Sequence, residues 1–388
     1  MTDILPPIYL DYAATSPVLP TVLEAMLPYF TEQFGNPGSV HRWGQTADKG
    51  LRAARRTLAT VLNCQPGEII FTSGGSESDN LALRGVMFAA RAAGKGQHLI
   101  TTAVEHPAVL ATARQLHEQH GFALTVLPVD SYGRVSAQQV AAALRSDTAL
   151  VSVIWGNNEI GTLNPITEIA AVCRAQGVLF HTDAVQAAAH LPTDVQALGV
   201  DLLSIGGHKA YGPKGIGALY ARFGVVLTPQ MTGGSQEDGR RAGTSLVPLA
   251  VGLATAFELA QTERAQRTAH VTTLRDALIA GVLAALPGQA QLTGHPTERL
   301  PNHASFALQH TDGNDLLMHL DVAGIAASSG SACKIGNPEP SETLIALGLD
   351  PTWTLGSLRL TVGLPTTAAD IEQALAVLPG AVARARRT

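Results

Sequence analysis

Short apolar runs rich in β-branched residues alternate with longer Ala-rich stretches along most of the chain. Ile69–Thr72, His98–Thr102, Leu124–Pro128, Leu150–Trp155, Val178–Thr182 and Asp201–Ile205 read as buried strands. Between them Glu77–Ala93, Pro107–His120, Ala137–Ser146 and Pro165–Gln176 carry apolar positions at helical spacing. This β-α-β alternation predicts a mostly parallel sheet, because parallel neighbours need a long crossover and the crossover helices cover both faces. Gly217–Tyr220 adds one more short strand, for seven in all. After Ser245, the Ala/Leu-periodic stretch from Pro248 to Leu286 reads as a helical connector broken only near Pro287. Beyond it come a strand at Ala304–Leu308, a helix at Asn314–Asp321, Gly324–Ala327, a Ser/Gly-rich loop, a strand at Leu358–Thr361 and a helix from Ala368. The expectation is an α/β fold with a large domain over residues 16–255 around the seven-stranded sheet. A smaller α+β domain would join residues 1–15 to 256–388.

Composition narrows the class. At 388 residues, 46% of them hydrophobic and only 15% charged, the chain can bury a sizeable core and is not a disordered one. Lys+Arg 26 against Asp+Glu 31 leaves a net charge of −5, and basic residues cluster only at Arg384–Arg387, so nucleic acid is not an expected partner. Met1–Leu10 lacks a basic region followed by an apolar one, and no stretch approaches the roughly 18 apolar residues of a membrane span. A cytoplasmic protein is expected. The cysteines, Cys64, Cys173 and Cys333, match no zinc or disulfide spacing. Cys64 and Cys173 read as small buried hydrophobes. Cys333 instead lies in a Ser/Gly-rich stretch without apolar periodicity, which favours a loop and an accessible thiol.

Three segments carry chemistry. Ser73-Gly74-Gly75-Ser76-Glu77-Ser78 follows a strand and opens a helix, so backbone N–H groups and the positive helix end would face an anion such as a phosphate. It lacks the Gly-Lys-Ser/Thr ending of a Walker loop and the spacing of a dinucleotide fingerprint. Asp183 ends the strand Val178–Thr182, where an open parallel sheet presents ligand groups. His181 and Asp183 are expected on opposite faces of that strand, which argues against a zinc site. Lys209, between His208 and a glycine-dense turn, is poorly explained as a solvated charge and suits a desolvated amine able to form a Schiff base. Anion cradle, strand-end Asp and lysine together are the parts that hold pyridoxal 5′-phosphate: a carboxylate for the pyridine nitrogen and an amine for the aldehyde.

Further ordered motifs extend the pattern. They are Tyr9-Leu10-Asp11-Tyr12-Ala13-Ala14-Thr15, Phe34-Gly35-Asn36-Pro37-Gly38-Ser39, Glu105-His106, Asn157-Asn158-Glu159-Ile160-Gly161, Asp183-Ala184-Val185-Gln186, Arg241-Ala242-Gly243-Thr244, Ser328-Ser329-Gly330-Ser331-Ala332-Cys333 and Ser357-Leu358-Arg359. Nearly end to end, the chain resembles the cysteine desulfurases of the NifS/IscS type, class-V aminotransferase relatives among the fold-type-I pyridoxal-phosphate enzymes.

The resemblance implies that Lys209 binds the cofactor aldehyde, Asp183 pairs with the pyridinium, Gln186 bonds the ring hydroxyl and His106 stacks on the ring and assists proton transfer. Without it, His106 reads as a strand-end histidine that satisfies backbone groups before Pro107. Gly75, Ser76 and His208 would hold the phosphate, with Thr244 supplied by the second subunit of a homodimer. Asn36, Asn158 and Arg359 would hold the L-cysteine substrate, Asn158 also touching the cofactor and Arg359 gripping the carboxylate. Cys333 would take the sulfur as a persulfide and pass it to an iron–sulfur scaffold or other acceptor protein. Two positions depart from the usual pattern: Gly206, where many relatives carry a hydroxyl for the phosphate, and Asp238, where an arginine is common. The length of the segment after Cys333 resembles the long-loop group, implying delivery over a distance. A selenocysteine lyase or related β-eliminating lyase on the same fold is the nearest alternative. A non-catalytic scaffold is disfavoured because Asp183, Gln186, His208, Lys209 and Cys333 are all present.

Overall fold

In the computed structural model, which describes residues 7–330 and 340–386, the alternating pattern closes into a seven-stranded sheet. Its strands are β1 (Ile69–Thr72), β2 (His98–Thr102), β3 (Ala123–Leu127), β4 (Thr148–Ser152), β5 (Leu179–Asp183), β6 (Leu202–Gly206) and β7 (Gly217–Ala221). They lie in the order β1-β7-β6-β5-β4-β2-β3, and only β7 runs antiparallel to its neighbours. β2, β4 and β6 are buried at every residue, as a parallel sheet covered on both faces requires. The edge strand β3 is the one that leaves Val126 exposed.

Helices α1 (Arg42–Leu62), α2 (Gly75–Ala92) and α3 (Pro107–His120) precede α4 (Val247–Thr262) and α5 (Arg264–Ala285). Ala47, Leu51, Ala54, Leu58 and Leu62 recur at three- and four-residue steps on α1 and form the stripe that packs on α4. α3 opens with Pro107 in its first turn and closes on Gly121 in the left-handed region, the expected start and stop. The long helical stretch ends at Ala285, just before Pro287, as expected, but it also breaks at Glu263, because its two halves serve different cores. α4 buries Leu253 and Phe257 in the cluster beneath the large sheet, while α5 buries Val271, Leu274, Leu278 and Val282 in a second cluster.

That second cluster lies between α5, the C-terminal helix α6 (Ala368–Arg384) and a small antiparallel sheet ordered β10-β9-β8. The sheet comprises β8 (Ala290–Leu292), β9 (His303–Leu308) and β10 (Ser357–Thr361). Ile8–Tyr9 pairs in parallel with Ile325–Ala326 and places Ile8 and Leu10 in the same cluster, so the chain's beginning packs with its end. Among the described residues no helix is long and apolar enough to cross a membrane.

Candidate active site

The carboxyl ends of β1, β2, β5 and β6 surround a cavity of about 300 Å³. Gly75 follows β1, His106 follows β2, Asp183 ends β5, and His208 and Lys209 follow β6; all five line it. So do Ser76, Asn158, Gln186 and Arg359. Nine of the sequence-derived candidates thus meet in one place. Asn36 and Thr244 do not line it: both are exposed, and Asn36 Oδ1 is engaged by the Gly38 N–H at 3.0 Å within its own turn. Cys333 lies outside the described residues.

Lys209 ends a tight turn that only glycine permits at residue 207, where a Cβ would lie 2.7 Å from the Pro213 carbonyl oxygen. Its ammonium donates to the carbonyls of Ala13 and Ala14, the latter at 2.7 Å, so the N-terminal Tyr9–Thr15 motif forms one wall of the site. Burial, and next the charge of Arg359, bring the amine down to about 8 against the opposing pull of Asp11 and Asp183. Gln186 Nε2 donates to the same Ala13 carbonyl at 2.8 Å.

Opposite the lysine sits a buried acid pair. Asp183 Oδ1 accepts the Val185 N–H at 2.9 Å, and Asp79, one turn along α2 from Gly75, comes beside it. One polar atom each of Asp79, His106 and Asp183 fall within 4.8 Å of one another. Burial, then proximity to Asp183, raises Asp79 well above the usual carboxylate range; burial also raises Asp183, with His106, the Val185 N–H and Lys209 opposing it. The expectation for His181 is corrected here. Residues two apart on a strand share a face, and His181 Nε2 lies 3.7 Å from Asp79 Oδ1 on the Asp183 side. His181 is nonetheless a buried spacer: its ring nitrogens engage Ser152 at 2.8 Å and Ser204 at 3.0 Å, and burial holds it neutral with a value of about 3.

His106 combines the bland and the sharp reading. Its Nδ1 accepts the Ala108 N–H at 3.1 Å as the cap of α3, which assigns the ring proton to Nε2, while the ring lines the cavity. Burial, with Lys209 adding and Asp183 opposing, keeps it below the usual imidazole range and therefore neutral at pH 7. Neighbouring Glu105 is fully buried and pushed up to about 8; its Oε1 accepts from the Thr102 hydroxyl at 2.7 Å and from the N–H of the cavity residue Ile154 at 3.0 Å.

At the α2 end, the first-turn N–H groups have no acceptor within the helix. A Cβ on Gly75 would come within 2.5 Å of Val185 Cγ2, so glycine keeps this backbone open. A Cβ on Gly206 would sit 3.6 Å from the Gly75 nitrogen and 3.9 Å from His208, so the missing hydroxyl is missing from this cradle. His208 Nδ1 lies 3.2 Å from the Thr15 hydroxyl, and burial, then Lys209, lowers it to about 4. Two ion pairs brace the strap that leads to Thr244: Arg241 to Glu77 at 2.8 Å and Arg55 to Glu237 at 2.7 Å. Asp238, the second departure, points to solvent and pairs with Arg240 at 3.3 Å.

Arg359 donates through Nη1 to the Asn158 carbonyl at 2.9 Å and through Nη2 to Asp11 at 2.9 Å, while its buried Nε has no partner. Each Nη keeps one further N–H, so the guanidinium is oriented yet still able to take a carboxylate.

The profile of the aminotransferase class-V family matches residues 8–374. The chain belongs to that family. The cysteine desulfurase IscS of Methanosarcina thermophila is 47% identical over 379 residues, covering 98% of this chain and 93% of its own. A cysteine desulfurase of Nostoc sp. is 44% identical over 379 residues, 98% of this chain and 94% of its own. Among solved structures, a NifS-like protein superposes with a TM-score of 0.90 at 34% identity, covering 97% of this chain and 99% of that one. The structure of SspA in complex with cysteine reaches a TM-score of 0.80 at 35% identity, over 92% and 99% of the two chains.

The class-V family depends on pyridoxal 5′-phosphate, and this chain has the fold-type-I architecture. The cavity fits that cofactor. It has an open helix start for a phosphate at one end, buried carboxyls for a pyridinium at the other, and the orphaned Asp79 Oδ1 beside them. Asp79 and Asp11 escaped the sequence reading as site residues. The available signals were that Asp79 falls four residues after Gly75, hence on the same helix face, and that Asp11 stands in the motif whose carbonyls receive Lys209.

Proposed function

We propose that this protein is a cysteine desulfurase that takes L-cysteine to L-alanine and leaves the sulfur as a persulfide on Cys333. The observation that carries the reading is the convergence of Lys209, Asp183, His106 and Arg359 on one cavity, with Ser328, in the segment that leads to Cys333, bonded to the Arg359 backbone at 2.7 and 3.2 Å. When bound, pyridoxal 5′-phosphate supplies an electron sink for charge developing on the substrate α-carbon. Lys209 would hold its aldehyde, Asp183 its pyridine nitrogen, Gln186 its hydroxyl, and Gly75, Ser76 and His208 its phosphate, with Thr244 arriving from a second copy.

The chain's own groups have separable tasks. Asp183, whose ionised form burial disfavours, would hold the cofactor's pyridine nitrogen as a carboxylate, because an adjacent cation stabilises the ionised carboxyl. Neutral His106 would stack on the cofactor ring without adding a charge to it. Arg359, oriented by Asp11 and the Asn158 carbonyl, receives the substrate carboxylate beside Asn158, whereas Asn36 would have to reach it from outside this cavity. The Lys209 amine, at about 8, removes the α-proton. The Cys333 thiolate then forms an S–S bond as the substrate Cβ–S bond breaks. The electron pair of that bond leaves with carbon and, once protonated with His106 assisting, ends in L-alanine.

A homodimer in the cytoplasm belongs to the same reading. Support for the dimer comes from a belt of exposed apolar side chains around Asn36, including Val40 at 89% and Trp43 at 57% exposure. The persulfide would go to an acceptor protein such as an iron–sulfur scaffold. The division into a large and a small domain is retained, its second boundary following the break at Glu263.

The direct test is incubation of the purified, cofactor-loaded protein with L-cysteine. Alanine and transferable sulfur are expected in equal amounts, with the persulfide mapped to Cys333 by mass spectrometry. Alanine from L-selenocysteine but none from L-cysteine would favour the lyase instead. A pH series supplies a second test. Cofactor-free protein is expected to take up pyridoxal 5′-phosphate at a rate that rises about tenfold per pH unit below about 8 and flattens above it, because only the neutral amine attacks. A rate still climbing past pH 9, as for an ordinary lysine at 10.5, would refute the depressed amine.

A further inference from the structure

Glu159 has no task in the chemistry above. Its backbone is locked in a turn: Asn157 Oδ1 accepts the Glu159 and Ile160 N–H groups at 2.8 and 2.9 Å, and the Gly161 N–H closes on the Asn157 carbonyl at 3.0 Å. The preceding residue, Asn158, lines the cofactor cavity, and its carbonyl orients Arg359. The Glu159 side chain turns elsewhere. Its Oε2 accepts the Ser341 hydroxyl at 2.9 Å. The same oxygen lies against Gly330, where an added Cβ would stand 2.4 Å from it and 3.0 Å from Ser357 Oγ. Gly330 is itself held by its N–H donating to Ser357 Oγ at 2.9 Å, and Ser341 caps the helix Glu342–Ala346 through the Leu344 N–H at 3.2 Å.

One carboxylate therefore touches both flanks of segment 331–339, in which Cys333 lies. We propose that Glu159 is a positioning residue that ties both flanks of the Cys333 segment to the Asn157–Gly161 turn, so that sulfur abstraction depends on a carboxylate outside the substrate cavity. The inference rests on the reading of Cys333 as the nucleophile. Fixing the residues on either side of a nucleophile in the sequence limits the positions from which it can act and raises its effective concentration. A carboxylate suits the task better than an amide. Its charge strengthens the bond it accepts from the Ser341 hydroxyl, whereas a glutamine offers one accepting oxygen and no charge.

The experiment uses cofactor-loaded Glu159→Ala, Glu159→Gln and Ser341→Ala, compared with wild type in three readouts. The cofactor's visible absorption and its change with L-cysteine are expected to stay as in wild type. Single-turnover persulfide formation at Cys333 is expected to fall roughly tenfold in Glu159→Ala, the loss expected for a charged hydrogen-bond anchor. Glu159→Gln is expected to recover part of that loss. Alkylation of Cys333 by iodoacetamide, mapped by mass spectrometry, is expected to change severalfold. Persulfide formation within twofold of wild type together with an unchanged alkylation rate would overturn the proposal, as would loss of the cofactor spectrum in Glu159→Ala, which would place Glu159 in the cavity chemistry. If wild type releases alanine without a Cys333 persulfide, the nucleophile reading fails. The alkylation rates then still decide whether Glu159 orders the segment.

Discussion

Cys333→Ser is expected to keep the cofactor's colour and the spectral response to L-cysteine while losing persulfide formation and desulfuration by on the order of 10³-fold or more. Arg359 and Asn158, which receive the substrate, lie in the cavity and are untouched by the change. What disappears is the thiolate, and a serine hydroxyl is neither ionised near neutral pH nor a competent nucleophile toward sulfur. No other cysteine can take over. Cys173 is buried and Cys64 partly so, and burial pushes each up to about 12, so neither supplies a thiolate at pH 7. Alanine release and mass mapping of the persulfide decide the matter. Turnover near the wild-type rate would reject Cys333 as the nucleophile.

The second large effect is at the amine. Lys209→Ala is expected to lose the borohydride-reducible bond to the cofactor and, with its proton-transferring group gone, to slow desulfuration by about 10²-fold to 10⁴-fold. The neighbourhood should survive the truncation. The Ala13 carbonyl keeps the Gln186 amide as donor, and residue 209 ends a short turn rather than filling a core. Lys214, five residues on and exposed, is the natural control, and Lys214→Ala should retain the adduct. A reduced adduct that persists in Lys209→Ala at another lysine would refute the assignment, whatever the activity.

Much of this architecture was legible in the pattern of residue types. The limits of β1 and β2 and of α3 coincide with the runs read from the sequence, because β-branched and apolar residues dominate these short strands and because Pro107 and Gly121 mark a helix's ends. Helix α1 was not read, although Ala47, Leu51, Ala54, Leu58 and Leu62 recur at helical spacing between its charged positions. The break at Glu263 was hidden, since Pro248–Leu286 carries no local stop there and divides only because two cores compete for it. His181 went astray through a misjudged strand face, and Asp79 and Glu159 were given no role.

By itself, the order of residue types determined the alternating sheet, the location of the glycine-rich turns and the set of candidate groups. These follow from local sterics and hydrophobic period, which act between near neighbours in the chain. Only the tertiary structure decided that Ala13 and Ala14 receive Lys209, that Asp11 orients Arg359, and that Asp79 shares the pocket with Asp183. It likewise joined Glu159 to Gly330 and Ser341. Such pairings depend on desolvation and on distances between residues far apart in the chain, and a carboxyl's environment exists only once the sheet has closed around it.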